Sequence, residues 1–131
     1  MITLDTSAIF ALINSADPDH QRVRQVLHAE RGPYLVPVGI LAEIGYLLEQ
    51  RLGHNVLSTF LSDIEAGSFS LDCGNEDVRR IRELVARYAS LPLGFADACV
   101  IACAERNGGI TLATDKDFHV VAAERTIRVL P

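Results

Sequence analysis

Short apolar runs, separated by longer stretches with helical spacing, recur along this chain and restrict its fold more than any other feature. Ile2–Leu4, Tyr34–Val36, Ser68–Leu71, Ile110–Ala113 and Ile127–Leu130 each have the length and composition of a strand. Between the first two lie Ala8–Ile13 and an amphipathic stretch that runs from the turn Asp17-Pro18-Asp19 to Glu30 and closes at Arg31-Gly32-Pro33. After Pro37, the residues Ile40, Leu41, Ile44, Leu47 and Leu48 recur at helical spacing until Gly53, and a further helix is expected over Asn55–Glu65, broken at Gly67. Asn75-Glu76-Asp77 reads as the cap of a charged helix to Tyr88, with Val78, Ile81, Leu84 and Val85 on one stripe. Pro92 and Gly94 break that helix, Phe95–Glu105 forms the next, and Asn107-Gly108-Gly109 ends it. Strands separated by helices imply an α/β fold, with a mainly parallel sheet covered on both faces. The chain has no repeat, low-complexity tract or linker, so residues 1–131 are expected to form one domain.

Composition agrees with a globular domain. The 131 residues are 49% hydrophobic and 22% charged, which excludes disorder as the main state. No apolar run approaches the ~20 residues that span a bilayer, and Met1-Ile2-Thr3-Leu4-Asp5 lacks the basic start of a signal peptide. A cytoplasmic protein without membrane contact is expected. Cys73, Cys99 and Cys103 cannot complete a disulfide framework and have no zinc-finger spacing, so they read as reduced, mostly buried apolar residues. The formal charge is −5, and 11 of the 12 basic residues are arginine, with Lys116 the single lysine. That balance argues against coating nucleic acid by net charge, yet a few acids gathered around divalent ions would invert the field locally.

Several acids stand where packing expects apolar residues. Glu43 has Ile40 three residues before it and Leu47 four after, so it is expected on the core side of its helix. Asp97 has Val100 and Ile101 as its neighbours one turn on, in a helix rich in Ala and Cys. A buried carboxylate costs several kcal/mol unless something offsets it. Asp5 and Asp115 follow the first and fourth strands, and in an open parallel sheet ligands bind beyond the carboxyl ends of the strands, where strand order reverses. If those strands are neighbours, Asp5, Glu43, Asp97 and Asp115 converge on a hard-oxygen site suited to Mg²⁺ or Mn²⁺, which can activate water and hold phosphate oxygens. Each acid alone has an ordinary alternative: Asp5 as a helix cap, Asp97 as a dipole partner, Glu43 on a solvated edge, Asp115 and Asp117 as turn formers.

Other chemistries find less support. His20, His28, His54 and His119 lie in charged or turn segments and are mostly expected in solvent. The G-x-S-x-G elbow, the P-loop and G-x-G-x-x-G are all missing from the sequence. Cys99 and Cys103, one turn apart among alanines, read as core, and Arg79, Arg80, Arg82 and Arg87 as a solvated helix face.

Leu4-Asp5-Thr6-Ser7-Ala8-Ile9, Ala42-Glu43-Ile44, Phe95-Ala96-Asp97-Ala98 and Thr114-Asp115-Lys116-Asp117-Phe118 resemble the four acidic motifs of the PIN domain, with spacing most similar to the VapC toxins of bacterial toxin–antitoxin pairs. The resemblance implies a three-layer α/β/α sandwich with a mainly parallel sheet of four to five strands, in which the first and fourth are adjacent. It implies a Mg²⁺- or Mn²⁺-dependent endoribonuclease with Asp5, Glu43, Asp97 and Asp115 as catalytic, metal-holding acids. Asp117 is a further metal-site acid in that scheme, and Ser7 or Thr114 a contact to metal-bound water. The implied partners are an RNA substrate and a small cognate antitoxin. A homodimer is expected as well, because Tyr46, Val56, Leu57, Phe60 and Leu61 add more apolar surface than one helix face can bury. Two alternatives are an RNA-processing PIN nuclease that is not a toxin and a non-catalytic PIN binding module.

Overall fold

Ile2–Leu4 (β1) is buried along its whole length, as a strand flanked on both sides and covered on both faces must be. The computed structural model describes residues 1–91, 93–122 and 126–131. After β1 come α1 (Thr6–Ile13), α2 (His20–Ala29), β2 (Tyr34–Pro37), α3 (Val38–Leu52), α4 (His54–Glu65) and β3 (Ser70–Asp72). α5 (Val78–Arg87), α6 (Phe95–Arg106), β4 (Ile110–Leu112), α7 (Asp117–Ala122) and β5 (Arg128–Leu130) complete the order. The strands form one sheet, β3-β2-β1-β4-β5, in which every neighbouring pair is parallel. Thr3 lies opposite Thr111 and Leu4 opposite Leu112, so β1 and β4 are adjacent and end in register. From β1 the chain winds outward to β2 and β3, and from β4 it winds the other way to β5. Strand order therefore reverses between β1 and β4, and a crevice opens beyond their carboxyl ends.

Helices cover both faces in a three-layer α/β/α arrangement. α6 is the central one: it packs on β1, β2 and β4, and seven consecutive residues, Ala98–Ala104, are buried. Alanine and cysteine suit that position because small side chains let the helix approach the sheet closely. Ile40, Ile44 and Leu48 put one line of α3 into the same core, with Ile9, Val36, Leu112 and Phe118.

The structure departs from the sequence reading in a few places. On α5 the buried line is narrower than the predicted stripe: Leu84 and Tyr88 are buried, while Val78 is 68% exposed and Val85 is exposed as well. One line of side chains is all that α5 turns toward α6. Asp77 precedes α5 as expected but makes no side-chain cap; its carboxylate accepts from Arg106 instead. Arg80, read as solvated, donates to Glu105 and Glu83, which ties α5 to α6. α7 is a six-residue helix whose apolar pattern, Phe118 and Val121, is too short to show periodicity. Cys99 and Cys103 are buried, Cys73 is exposed, and all three are free thiols. His28, His54 and His119 are exposed; His20 is half-buried, with Nδ1 2.8 Å from the Ala11 carbonyl oxygen. Pro92, read with Gly94 as a helix break, lies outside the described residues. Among the described residues no helix is long and apolar enough to cross a membrane.

Gly53 and Gly39 show two different ways in which geometry requires a glycine. Gly53 joins α3 to α4 at φ 97°, a conformation that side chains of L-residues rarely adopt. Gly39 lets α3 meet α6: a Cβ there would stand 2.7 Å from Cys99 Sγ and 3.2 Å from Cys99 Cβ. Gly39→Ala gains about 1 kcal/mol of helix propensity, but the clash in a packed core outweighs it. A net loss on the order of 1–2 kcal/mol is expected in urea denaturation. Adding Cys99→Ala should recover part of the loss, giving a non-additive pair.

Candidate active site

Asp5 follows β1 directly, and its backbone N–H continues the β1–β4 ladder by donating to the Leu112 carbonyl at 3.1 Å. Its side chain caps α1, accepting from the Ala8 N–H at 2.8 Å. Ser7 Oγ lies 2.8 Å from each carboxylate oxygen as donor, and accepts from the Thr114 N–H at 3.0 Å. One hydroxyl thus laces the end of β1, the start of α1 and the end of β4 together. Asp5 is 4% exposed. Burial, its largest influence, raises its pKa to about 7 against the lowering effect of these donors, and the charge of Asp97 adds to the rise.

Asp97 is half-buried in the first turn of α6, where Gly94 offers no side chain as a cap. Its pKa is raised to about 6, first by burial, then by the charges of Asp115 and Glu43, with Asp117 contributing less and the Gly94 N–H opposing. Asp115 is exposed after β4, and its Oδ1 accepts from the Asp117 N–H at 2.9 Å, which starts α7. Glu43 is exposed, contrary to the core-side expectation. The buried line of α3 is Ile40, Ile44 and Leu48; Glu43 and Leu47 occupy the adjacent line, which faces the crevice.

These side chains line one cleft of ≈ 330 Å³: Asp5, Glu43, Asp97 and Asp115, with Thr6, Ser7 and Thr114 among the others. Asp117 is not on its wall; its influence reaches the cleft through the field at Asp97. Besides Leu47, which the sequence places in an apolar stripe, three polar or aromatic lining residues were not singled out from sequence as part of a site. Asp17 comes from the turn between α1 and α2, Phe10 from α1 and Arg51 from α3. Arg51 had a legible signal, since it lies eight residues after Glu43 and so on the same helical line.

None of Asp5, Glu43, Asp97 and Asp115 makes an ion pair among the described residues. No three His, Cys, Asp or Glu side chains among the described residues are arranged to hold a metal ion. The contrast with Asp72 is instructive. Arg106 donates to Asp72 and Asp77 outside this cleft, and that pairing holds the Asp72 carboxyl below its usual range.

The PIN domain profile matches residues 2–124. The chain belongs to the PIN domain family. It is 29% identical over 120 residues to Ribonuclease VapC26 of Mycobacterium tuberculosis (strain ATCC 25618 / H37Rv), covering 91% of this chain and 89% of that one. Among solved structures it resembles M. tuberculosis VapC20, described as a toxin that cleaves the sarcin–ricin loop, with TM-score 0.80, 23% identity, and coverage of 92% of this chain and 95% of that chain. FitAcB from Neisseria gonorrhoeae superposes with TM-score 0.68 at 20% identity, over 100% of this PIN chain and 97% of the other. The three-layer architecture expected from the motifs is the architecture of the fold.

Carboxylates gathered with no ion-pair partner among the described residues make stability depend on pH in a direction set by the raised pKa values. Between the unfolded value of 3.8 and about 7 for Asp5 or about 6 for Asp97, the folded state binds more protons than the unfolded one. Their contribution to stability is therefore greatest below pH 4 and declines as pH rises toward 7, levelling off above. In EDTA, Asp97→Asn should match or exceed wild type in Tm at pH 7, and this advantage should shrink toward pH 4. A mutant far less stable than wild type at pH 7 would make the Asp97 carboxylate a structural group.

Proposed function

We propose that this PIN protein is a metal-dependent endoribonuclease, acting as the VapC-like toxin of a toxin–antitoxin pair. The observation that carries the reading is the cleft at the β1/β4 reversal, where four acids gather without an ion-pair partner among the described residues. The relative named a ribonuclease supports it, as does the likeness to a toxin fold.

The donor chemistry fits Mg²⁺ or Mn²⁺, since the cleft offers carboxylate and hydroxyl oxygens and no histidine or cysteine, and the acids would have to draw together around the ion. Asp5, Glu43, Asp97 and Asp115 would hold the ion or ions, with Asp117 behind them. A bound divalent ion supplies positive charge to the phosphodiester and acidity to water. The chain's own groups do the rest. Ser7 and the Ala8 N–H fix the Asp5 carboxylate in one orientation, so it needs no reorganisation when substrate arrives. Asp97, whose carboxyl is pushed up by burial and by the charges of Asp115 and Glu43, is a group that a bound cation would relieve. Exposed Glu43 and Asp115 can adjust to ligands of different size.

The remaining apolar surface supports a homodimer and an antitoxin. Tyr46 is 66% exposed and Leu61 48% exposed, whereas Phe60, counted in the apolar surplus, is buried against Phe69, 5.6 Å between ring centroids. Tyr46→Ser with Leu61→Ser is expected to convert a dimer to a monomer in sedimentation at micromolar concentration. A small cognate antitoxin would cover the acidic cleft of this dimer.

The central test is cleavage of total RNA. Asp5→Asn and Asp97→Asn should each stay folded and cut about a hundredfold more slowly or worse, as when a metal ligand is lost. EDTA should abolish cleavage, Mn²⁺ should restore it, and the products should carry 5′-phosphate and 3′-hydroxyl ends. Activity that survives chelation, or 2′,3′-cyclic phosphate ends, would refute the reading.

A further inference from the structure

Arg51 is the one cationic side chain among the described residues that line the acidic cleft. It follows Glu43 and Leu47 at intervals of four along α3, so all three share a line, and Arg51 lies about 12 Å along the axis from Glu43. Its Cζ stands 5.4 Å from the centroid of the Phe10 ring, another cleft residue. Its side chain is exposed and makes no ion pair among the described residues, although five acids face the same cleft. Two ordinary roles suit it in part: a cation in the last turn of a helix and a cation on an aromatic face. Both are weak for an exposed group, and neither requires the guanidinium to border the acids.

We propose that Arg51 is a substrate-contact residue, whose guanidinium, set over the Phe10 ring, binds an RNA phosphate neighbouring the one at the acids. The proposal rests on the ribonuclease reading of the cleft. A polyanion that approaches five carboxylates is repelled along its length. A divalent ion relieves that only where it sits, so the adjoining phosphates need a cation of the protein's own. A planar guanidinium matches two phosphate oxygens with two N–H donors, and its place over the Phe10 ring keeps it beside the cleft before RNA arrives. The axial offset from Glu43 places Arg51 beyond the reacting phosphate and within reach of the strand on one side of it.

The test measures binding of a fluorescein-labelled single-stranded RNA oligonucleotide of mixed sequence by anisotropy, in Mn²⁺ over a series of KCl concentrations. The full chain is used in an Asp97→Asn background, so that RNA is bound and not cut. Arg51→Gln should weaken binding about tenfold at low salt. It should also reduce the slope of log K against log [KCl] by about 0.7, the signature of one lost phosphate contact. Arg51→Lys should keep the slope and recover part of the affinity. Affinity and slope equal to the parent would overturn the contact, as would a lowered Tm with unchanged slope, or no measurable binding by the parent. Cleavage of total RNA by wild type separates the two claims. RNA cut while the Arg51→Gln slope is unchanged removes the contact and leaves the ribonuclease; no cutting with an Arg51-dependent slope does the reverse.

Discussion

A carboxylate taken out of water needs protons, cations or hydrogen-bond donors, and Asp5 is supplied by the chain only with donors. The Ala8 N–H and the Ser7 hydroxyl accompany it, yet burial still dominates and its pKa rises to about 7. Everything around the cleft is arranged so that this group remains fixed and without a cation. β1 and β4 end in register, Ser7 joins their ends, and α6 brings Asp97 in from the flank. The protein has arginines able to neutralise acids and uses them elsewhere: Arg106 on Asp72 and Asp77, Arg80 on Glu105 and Glu83. The unpaired carboxylates are a local property of one crevice, since acids elsewhere on the surface, such as Asp72 and Glu105, are met by arginines.

Much of the architecture is legible because strand and helix periods differ. Five short apolar runs separated by helices leave few topologies, and Asp5 and Asp115 stand out as acids that end buried strands. Glu43 shows where the pattern misleads. Its apolar neighbours Ile40 and Leu47 suggest the core, but Leu47 belongs to the line that borders the cleft, and the buried line is Ile40, Ile44 and Leu48. A stripe read from sequence is wider than the face a neighbour covers, and Val78 on α5 repeats the lesson.

What was not legible depends on tertiary approach. Asp17 looks like an ordinary turn residue, and only the packing of α1 against α2 and α3 brings it to the cleft. Phe60 looks surplus on α4 until Phe69 meets it. Asp117 is a case of partial reach: its motif position suggests a ligand, while its side chain is off the cleft wall and acts through its charge. In each case the local sequence fixes the residue's chemistry, and a distant segment decides whom it meets.

The two ends of α6 are held by different means. At the carboxyl end, Arg106 grips Asp72 at the close of β3 and Asp77 at the start of α5, and Asn107 adds a bond to Asp72. At the amino end, the helix starts from Gly94 with no side-chain cap. Between the two ends Ala98–Ala104 are buried against the sheet, so the position of Asp97 is set by packing that begins at the very next residue. Asp97 and Arg106 lie nine residues apart, about 14 Å along the helix, so the clamp and the acidic crevice share one rigid element although they have no residue in common.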